Sequence, residues 1–146
     1  MTVRNATAML LLAALPATAF GAAEIDSNLE AAMKAAAPGE HVKALLYLHD
    51  QLDYDTLNDQ FKAERATRAH RHQVGMELLQ GMAEHSQFEL LAAIEQLEAS
   101  GEVAGHRSFW IANLVQVDAS VEAIGLLSQR DDVMMMYLDH PIELVA

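Results

Sequence analysis

Imidazole and thioether groups are the side chains here that most invite a chemical role. The chain holds seven His and eight Met, with His70-Arg71-His72, His85 and Met134-Met135-Met136 as the densest groupings. A copper or zinc site is the chemistry they would suggest. Their spacing argues against it. On a helix, His70 and His72 project about 200° apart, whereas one metal shared along a helix wants ligands four apart. Three consecutive Met on a strand alternate between its two faces. Solvated His and packed Met are therefore expected, with no metal and no cofactor. Lys62, Arg65, Arg68 and Arg71 recur at roughly helical spacing. They could bind an acidic partner, but are expected to pair with Asp59, Glu64 and Glu77 or with acids on other elements, contacts that contribute little at a surface. No Gly-x-Ser-x-Gly elbow, His-Glu-x-x-His pair, phosphate-binding loop or Gly-x-Gly-x-x-Gly occurs. The chain is not expected to be an enzyme.

Composition narrows the partner classes. Asp and Glu total 21 against 9 Lys and Arg, a net charge of -12, the wrong sign for a nucleic-acid binder. With no Cys, thiol nucleophiles and zinc-thiolate sites are excluded, and stability must come from packing alone in an oxidising compartment. Residues 1–23 carry Arg4, the apolar run Ala8 to Leu15, then Pro16 and small residues at Ala17, Ala19, Gly21, Ala22 and Ala23. That pattern predicts a cleavable signal peptide, cut after Ala19, Ala22 or Ala23. The apolar run is too short to span a bilayer. A periplasmic or secreted protein, free of the membrane once the signal is removed, is expected, with one domain left in the mature chain.

The elements follow from breakers and periodicity. Ser27-Asn28-Leu29-Glu30 has capping-box spacing and predicts a short entry helix to about Ala36, stopped by Pro38-Gly39. His41 to His49 alternates as a strand. Tyr54 to about His85 predicts one long helix, interrupted if anywhere near Gly75. Ser86-Gln87-Phe88-Glu89 repeats the capping-box spacing and opens a second helical segment that ends at Ser100-Gly101. Val103 to Asp118 predicts two strands with a break around Ala112-Asn113. Ser120 caps a short helix, and Val133 to Leu138 forms a final strand ended by His140-Pro141. The order predicts an α+β fold, a ferredoxin-like split βαβ sandwich whose four-stranded antiparallel sheet carries helices on one face. The expected divisions are the signal at 1–23, the entry helix at 24–40, the folded domain at 41–140 and a C-terminal tail at 141–146.

In such a sandwich the uncovered sheet face is polar if the protein works alone. If Val42, Ala44, Leu46 and Leu48 face the helices, Leu45 and Tyr47 point outward, and Trp110, Leu114, Met134 and Met136 are candidates for the same face. Contiguous apolar surface of this kind marks a binding site, and aromatic and Met side chains are common anchors there. The alternatives are an ordinary core or the interface of a homo-oligomeric structural domain.

Four stretches carry a resemblance. They are Arg71-His72-Gln73-Val74, Ser86-Gln87-Phe88-Glu89-Leu90-Leu91, Phe109-Trp110-Ile111-Ala112-Asn113 and Asp132-Val133-Met134-Met135-Met136-Tyr137-Leu138-Asp139. In order and spacing the chain from about Ile25 to Leu144 resembles the prodomain of bacterial subtilisin-like serine proteases, the propeptide and proteinase-inhibitor family. The resemblance implies the split βαβ sandwich and a subtilisin-like serine protease as partner. It implies that the uncovered sheet face packs on two parallel surface helices of the protease. Asp118 and Asp139 are then candidates to approach the positive ends of those helices. It also implies that the tail Pro141-Ile142-Glu143-Leu144-Val145-Ala146 runs through the substrate cleft by strand addition, with Glu143 to Ala146 in the four subsites before the cut. Unlike the usual precursor, this sequence has no protease domain after the prodomain-like part. A free-standing inhibitor, or a prodomain separated from its catalytic part that also assists folding, is expected.

Overall fold

A computed structural model describes residues 22–140, so the expected signal cut after Ala19 and the tail 141–146 lie outside the described residues. The chain runs β1 (Glu24–Ile25), α1 (Ser27–Ala35), β2 (His41–Leu48), α2 (Tyr54–Ala63), α3 (Arg68–Ser86), α4 (Phe88–Ser100), β3 (Val103–Phe109), β4 (Leu114–Ser120), α5 (Val121–Leu127) and β5 (Val133–Leu138). It is an α+β fold with five helices and one mixed sheet of five strands in the order β1-β5-β2-β4-β3. The expectation of four antiparallel strands is corrected by Glu24–Ile25, which pairs parallel to β5 at Met135 and Met136. The Asp26 amide extends that edge by donating to the Met136 carbonyl at 2.9 Å.

Alternation along the strands builds the core. Val42, Ala44, Leu46 and Leu48 of β2 join Val115, Val117 and Ala119 of β4 and Val133 and Met136 of β5 under the helices. Leu29 of α1, Leu90 and Ile94 of α4, and Ala123, Ile124 and Leu127 of α5 close the layer. The segment 24–40 shares this core, since Ile25, Ala32 and Met33 pack against it. Ala23 is also buried there, its amide donating to the Ser128 carbonyl at 2.7 Å.

Caps decide where the helices begin. Ser120 accepts from the Ala123 amide at 3.1 Å and starts α5 as expected. Helix α1 is capped one residue earlier than the sequence suggests. Asp26 stays extended and accepts from the Asn28 amide at 2.9 Å, which leaves Ser27 as the first helical residue. The long helix expected over Tyr54–His85 is two helices, broken at Arg65 in the left-handed region (φ 52°) rather than near Gly75. Thr67 stays extended and caps α3 from the His70 amide at 3.2 Å, and an extended cap cannot belong to a continuous helix. Ser86 does not cap α4. Its hydroxyl donates to the Met82 carbonyl, and Gln87 keeps helical angles without a side-chain cap. Helix α4 ends at Gly101 (φ 81°), where the Gly101 and Glu102 amides close on the Glu98 and Leu97 carbonyls.

Candidate docking face

The helices that supply the core all lie on one side of the sheet, and cross-strand register fixes what the other side shows. Tyr47 of β2 sits between Leu114 of β4 and Met135 of β5. Leu45 sits between Gln116 and Tyr137. Phe109 of β3 continues the row beyond Leu114. The rings of Tyr47 and Tyr137 meet edge to face with centroids 5.5 Å apart, and the Tyr137 hydroxyl donates to the Met135 sulfur at 2.9 Å. Such an aromatic pair stabilises by about 0.5–1.5 kcal/mol beyond its buried area. It holds Tyr137 in place while leaving it 36% exposed.

Charge occupies the other end of this face. Lys43 is opposite Asp118, and Arg107 is opposite Gln116. Asp139 accepts from the Gln116 side-chain amide, and its own amide donates to the Lys43 carbonyl at 3.0 Å. The face is therefore apolar toward the β3–β4 turn and mixed in charge toward the point where the chain leaves β5. Asp118 and Asp139 sit together at that second end.

Of the six residues expected on this face, Leu45 and Tyr47 lie there, half-buried. Leu114 belongs to it by register but is 7% exposed, so it floors the patch beneath Tyr47 and Phe109. The others are corrected. Met136 is fully buried in the core against Leu46. Met134 falls where the β2–β5 register shifts between the Tyr47–Met135 and Leu48–Val133 pairs, so the bulge leaves it without a cross-strand partner. One extra residue moves every later side chain to the opposite face, and the outward pair on β5 is Met135 and Tyr137. Trp110 is in the turn after β3 and lines a concavity with Gln80, Ala83, Glu84, Gln87, Leu91 and Ser108, on the helix side. The tail residues Pro141, Ile142, Glu143, Leu144, Val145 and Ala146 lie outside the described residues.

Sequence reasoning missed the residue that holds this end of the molecule together. Asn113, in the left-handed region (φ 42°) and 2% exposed, ends the β3–β4 turn. Its Nδ2 donates to the Asp50 carbonyl at 2.6 Å and to Ser86 Oγ at 2.8 Å. Its Oδ1 accepts from Gln87 Nε2 at 2.9 Å, and Gln87 Oε1 in turn accepts from Ser108 Oγ at 2.5 Å. One side chain thus ties the β2–α2 loop, the α3–α4 junction and the hairpin turn. The start of α4 and the turn after β3 meet at this node.

The other singled-out groups have plain surroundings. His70 packs on Phe61 at 6.3 Å between centroids, and His85 lines a concavity of about 290 Å³ with His49, Asp50, Asp131 and Asp132. Among the described residues no group of three or more His, Cys, Asp or Glu is arranged to hold a metal ion. Lys62 pairs with Asp59 at 2.8 Å, but Arg71 donates to the Ala66 and Phe61 carbonyls and sits over the Phe61 ring. Glu77 accepts from Gln73, not from a cation. No described helix is long and apolar enough to cross a membrane. No family model matches the chain, and no curated protein or solved structure matches it.

Proposed function

We propose that this chain is a prodomain-like binder and inhibitor of a subtilisin-like serine protease, exported by its N-terminal signal to the periplasm or the exterior, and without catalytic activity of its own. The observation that carries the reading is the uncovered sheet face. Leu45, Tyr47, Met135, Tyr137 and Phe109 form an apolar row on the side away from the core helices. A face of that kind suits a partner surface rather than water. The order β5-β2-β4-β3, antiparallel throughout with a helical connection (α2, α3 and α4) after β2 and α5 after β4, supports a ferredoxin-like split βαβ sandwich to which β1 is an added edge. The charged end supports the rest of the picture. Asp118 and Asp139 lie where the chain exits β5, so the residues after His140 start from the acid-bearing end of the docking face.

In this reading the sheet face seats on the protease and the tail from Pro141 to Ala146 enters the substrate cleft as an added strand. Binding the native protease in preference to its unfolded chain would also assist its folding. The test is inhibition of a panel of subtilisin-like proteases by the purified chain. Competitive inhibition is expected, and deletion of residues 141–146 is expected to weaken it at least tenfold, or about 1.4 kcal/mol, with the thermal midpoint unchanged. No inhibition at micromolar chain, or equal inhibition without the tail, contradicts the proposal.

A further inference from the structure

Helices α2 and α3 stand apart from the rest of the fold in both packing and charge. Neither contributes a residue to the core. Phe61, the buried residue of α2, is covered by His70 and Arg71 of α3. Helix α3 has 19 residues, about 28 Å at 1.5 Å per residue, and Ala83, near its C-terminal end, is its buried residue. The pair forms an arm anchored at the Asn113 node.

The tip of this arm is cationic. Lys62, Arg65, Arg68 and Arg71 fall within ten positions, with Glu64 the one acid among them. Lys62 and Arg71 are used inside the arm. Arg65 and Arg68 are exposed and have no ion-pair partner among the described residues. Outside α2, α3 and the turn joining them, the described chain carries fifteen carboxylates against four cations. Exposed acids among them, Asp50 and Asp131, line the concavity of about 290 Å³ at the base of the arm, beside His85.

We propose that two copies of this chain pair through α3, antiparallel, so that the cationic tip of each arm meets the acidic base of the other. One helix length separates Arg68 from His85. A two-fold axis near the middle of α3 therefore brings Arg65 and Arg68 of one copy to Asp50 and Asp131 of its partner, and each contact forms twice. Leu78, 42% exposed near that midpoint, supplies an apolar contact on the flank of α3 that His85 shares seven residues on. The net charge of -12 per chain opposes association in general. A pairing is favoured only where it sets the cationic segment against the acidic body, as this one does.

Sedimentation velocity on the purified chain at roughly 20 mM and roughly 500 mM salt tests the pairing. A dimer is expected at low salt, with its dissociation constant rising at least tenfold at high salt. Arg65→Glu with Arg68→Glu should give a monomer, and adding Asp50→Arg with Asp131→Arg should restore the dimer. A monomer under all conditions overturns the proposal, as does a dimer indifferent to these charge changes or one that tightens with salt. Protease inhibition by the Arg65→Glu, Arg68→Glu variant is expected to match that of the parent chain. Failure of the arm pairing and failure of the protease reading are thus separately visible.

Discussion

Asn113 concentrates more of the structure than any residue on the docking face. Replacing it by Ala strands the Asp50 carbonyl and the Gln87 side-chain amide, leaves the Ser86 hydroxyl only its bond to the Met82 carbonyl, and keeps a left-handed backbone that Ala disfavours. Buried polar groups left without partners cost about 1–3 kcal/mol each, and the lost bonds share one network. Asn113→Ala is expected to lower stability by about 2–4 kcal/mol in urea unfolding, with Asn113→Gly recovering only the backbone part. Met135 and Met136 separate outer face from core at adjacent positions. Met136→Ala opens a core cavity and should cost about 2–5 kcal/mol, while Met135→Ala, on the outer face, should stay within about 1 kcal/mol. Asp53 caps α2, and hydrogen bonds from the Thr56 hydroxyl and amide hold its carboxyl below the ordinary range. Because the folded-state value is lowered, its contribution is present above the ordinary carboxylate range and is lost as pH falls through the lowered value. Far-ultraviolet circular dichroism of the parent chain against Asp53→Asn should show α2 fraying over that window only in the parent. At this scale the sequence revealed caps well where one hydroxyl had one helix to serve, as at Ser120. It misled where two candidates were adjacent, as at Asp26-Ser27, and where a bulge at Met134 slipped the register.

Helix α3 is a weak element by its own composition. It holds Gly75 and Gly81, has no acidic residue in its first turn, and lacks a coherent apolar stripe. A helix without tertiary packing is marginal even at this length. An ideal Cβ at either glycine meets nothing within 4 Å, and neither glycine has positive φ. Gly75→Ala and Gly81→Ala should each stabilise the arm by roughly 0.5–1 kcal/mol. Amide exchange should show slower opening in α3 and no change in β2 or β4. Strand β1 makes a prediction at the opposite edge. A chain starting at Asp26 lacks the buried Ala23 and the Glu24–Ile25 pairing with β5, so its melting point should fall, and export processing should cut before Ala23, as N-terminal sequencing would read. The strands β2 to β5 were legible because runs rich in β-branched and aromatic residues lie between turn residues, and β2 alternates as well. Strand β1 was not, because two residues carry no period, and the break at Arg65 was not, because Arg has no intrinsic tendency toward the left-handed region it adopts there.

For the molecule as a whole, helices guard one side of the sheet and nothing in the described chain guards the other. The presence of an apolar outer face was readable from β2, where Leu45 and Tyr47 alternate with core residues. Its extent was not, because Trp110 turns to the helix side and β5 changes register. The two outward tyrosines offer the sharpest test of docking through this face. Tyr47→Glu with Tyr137→Glu places two charges on the docking face without touching the core, and Glu95→Arg on the exposed side of α4 serves as the control. Inhibition constants against a subtilisin-like protease should rise at least tenfold for the tyrosine pair and stay level for the control, with both variants folded. Equal inhibition by all three proteins would show that the sheet face does not meet the protease.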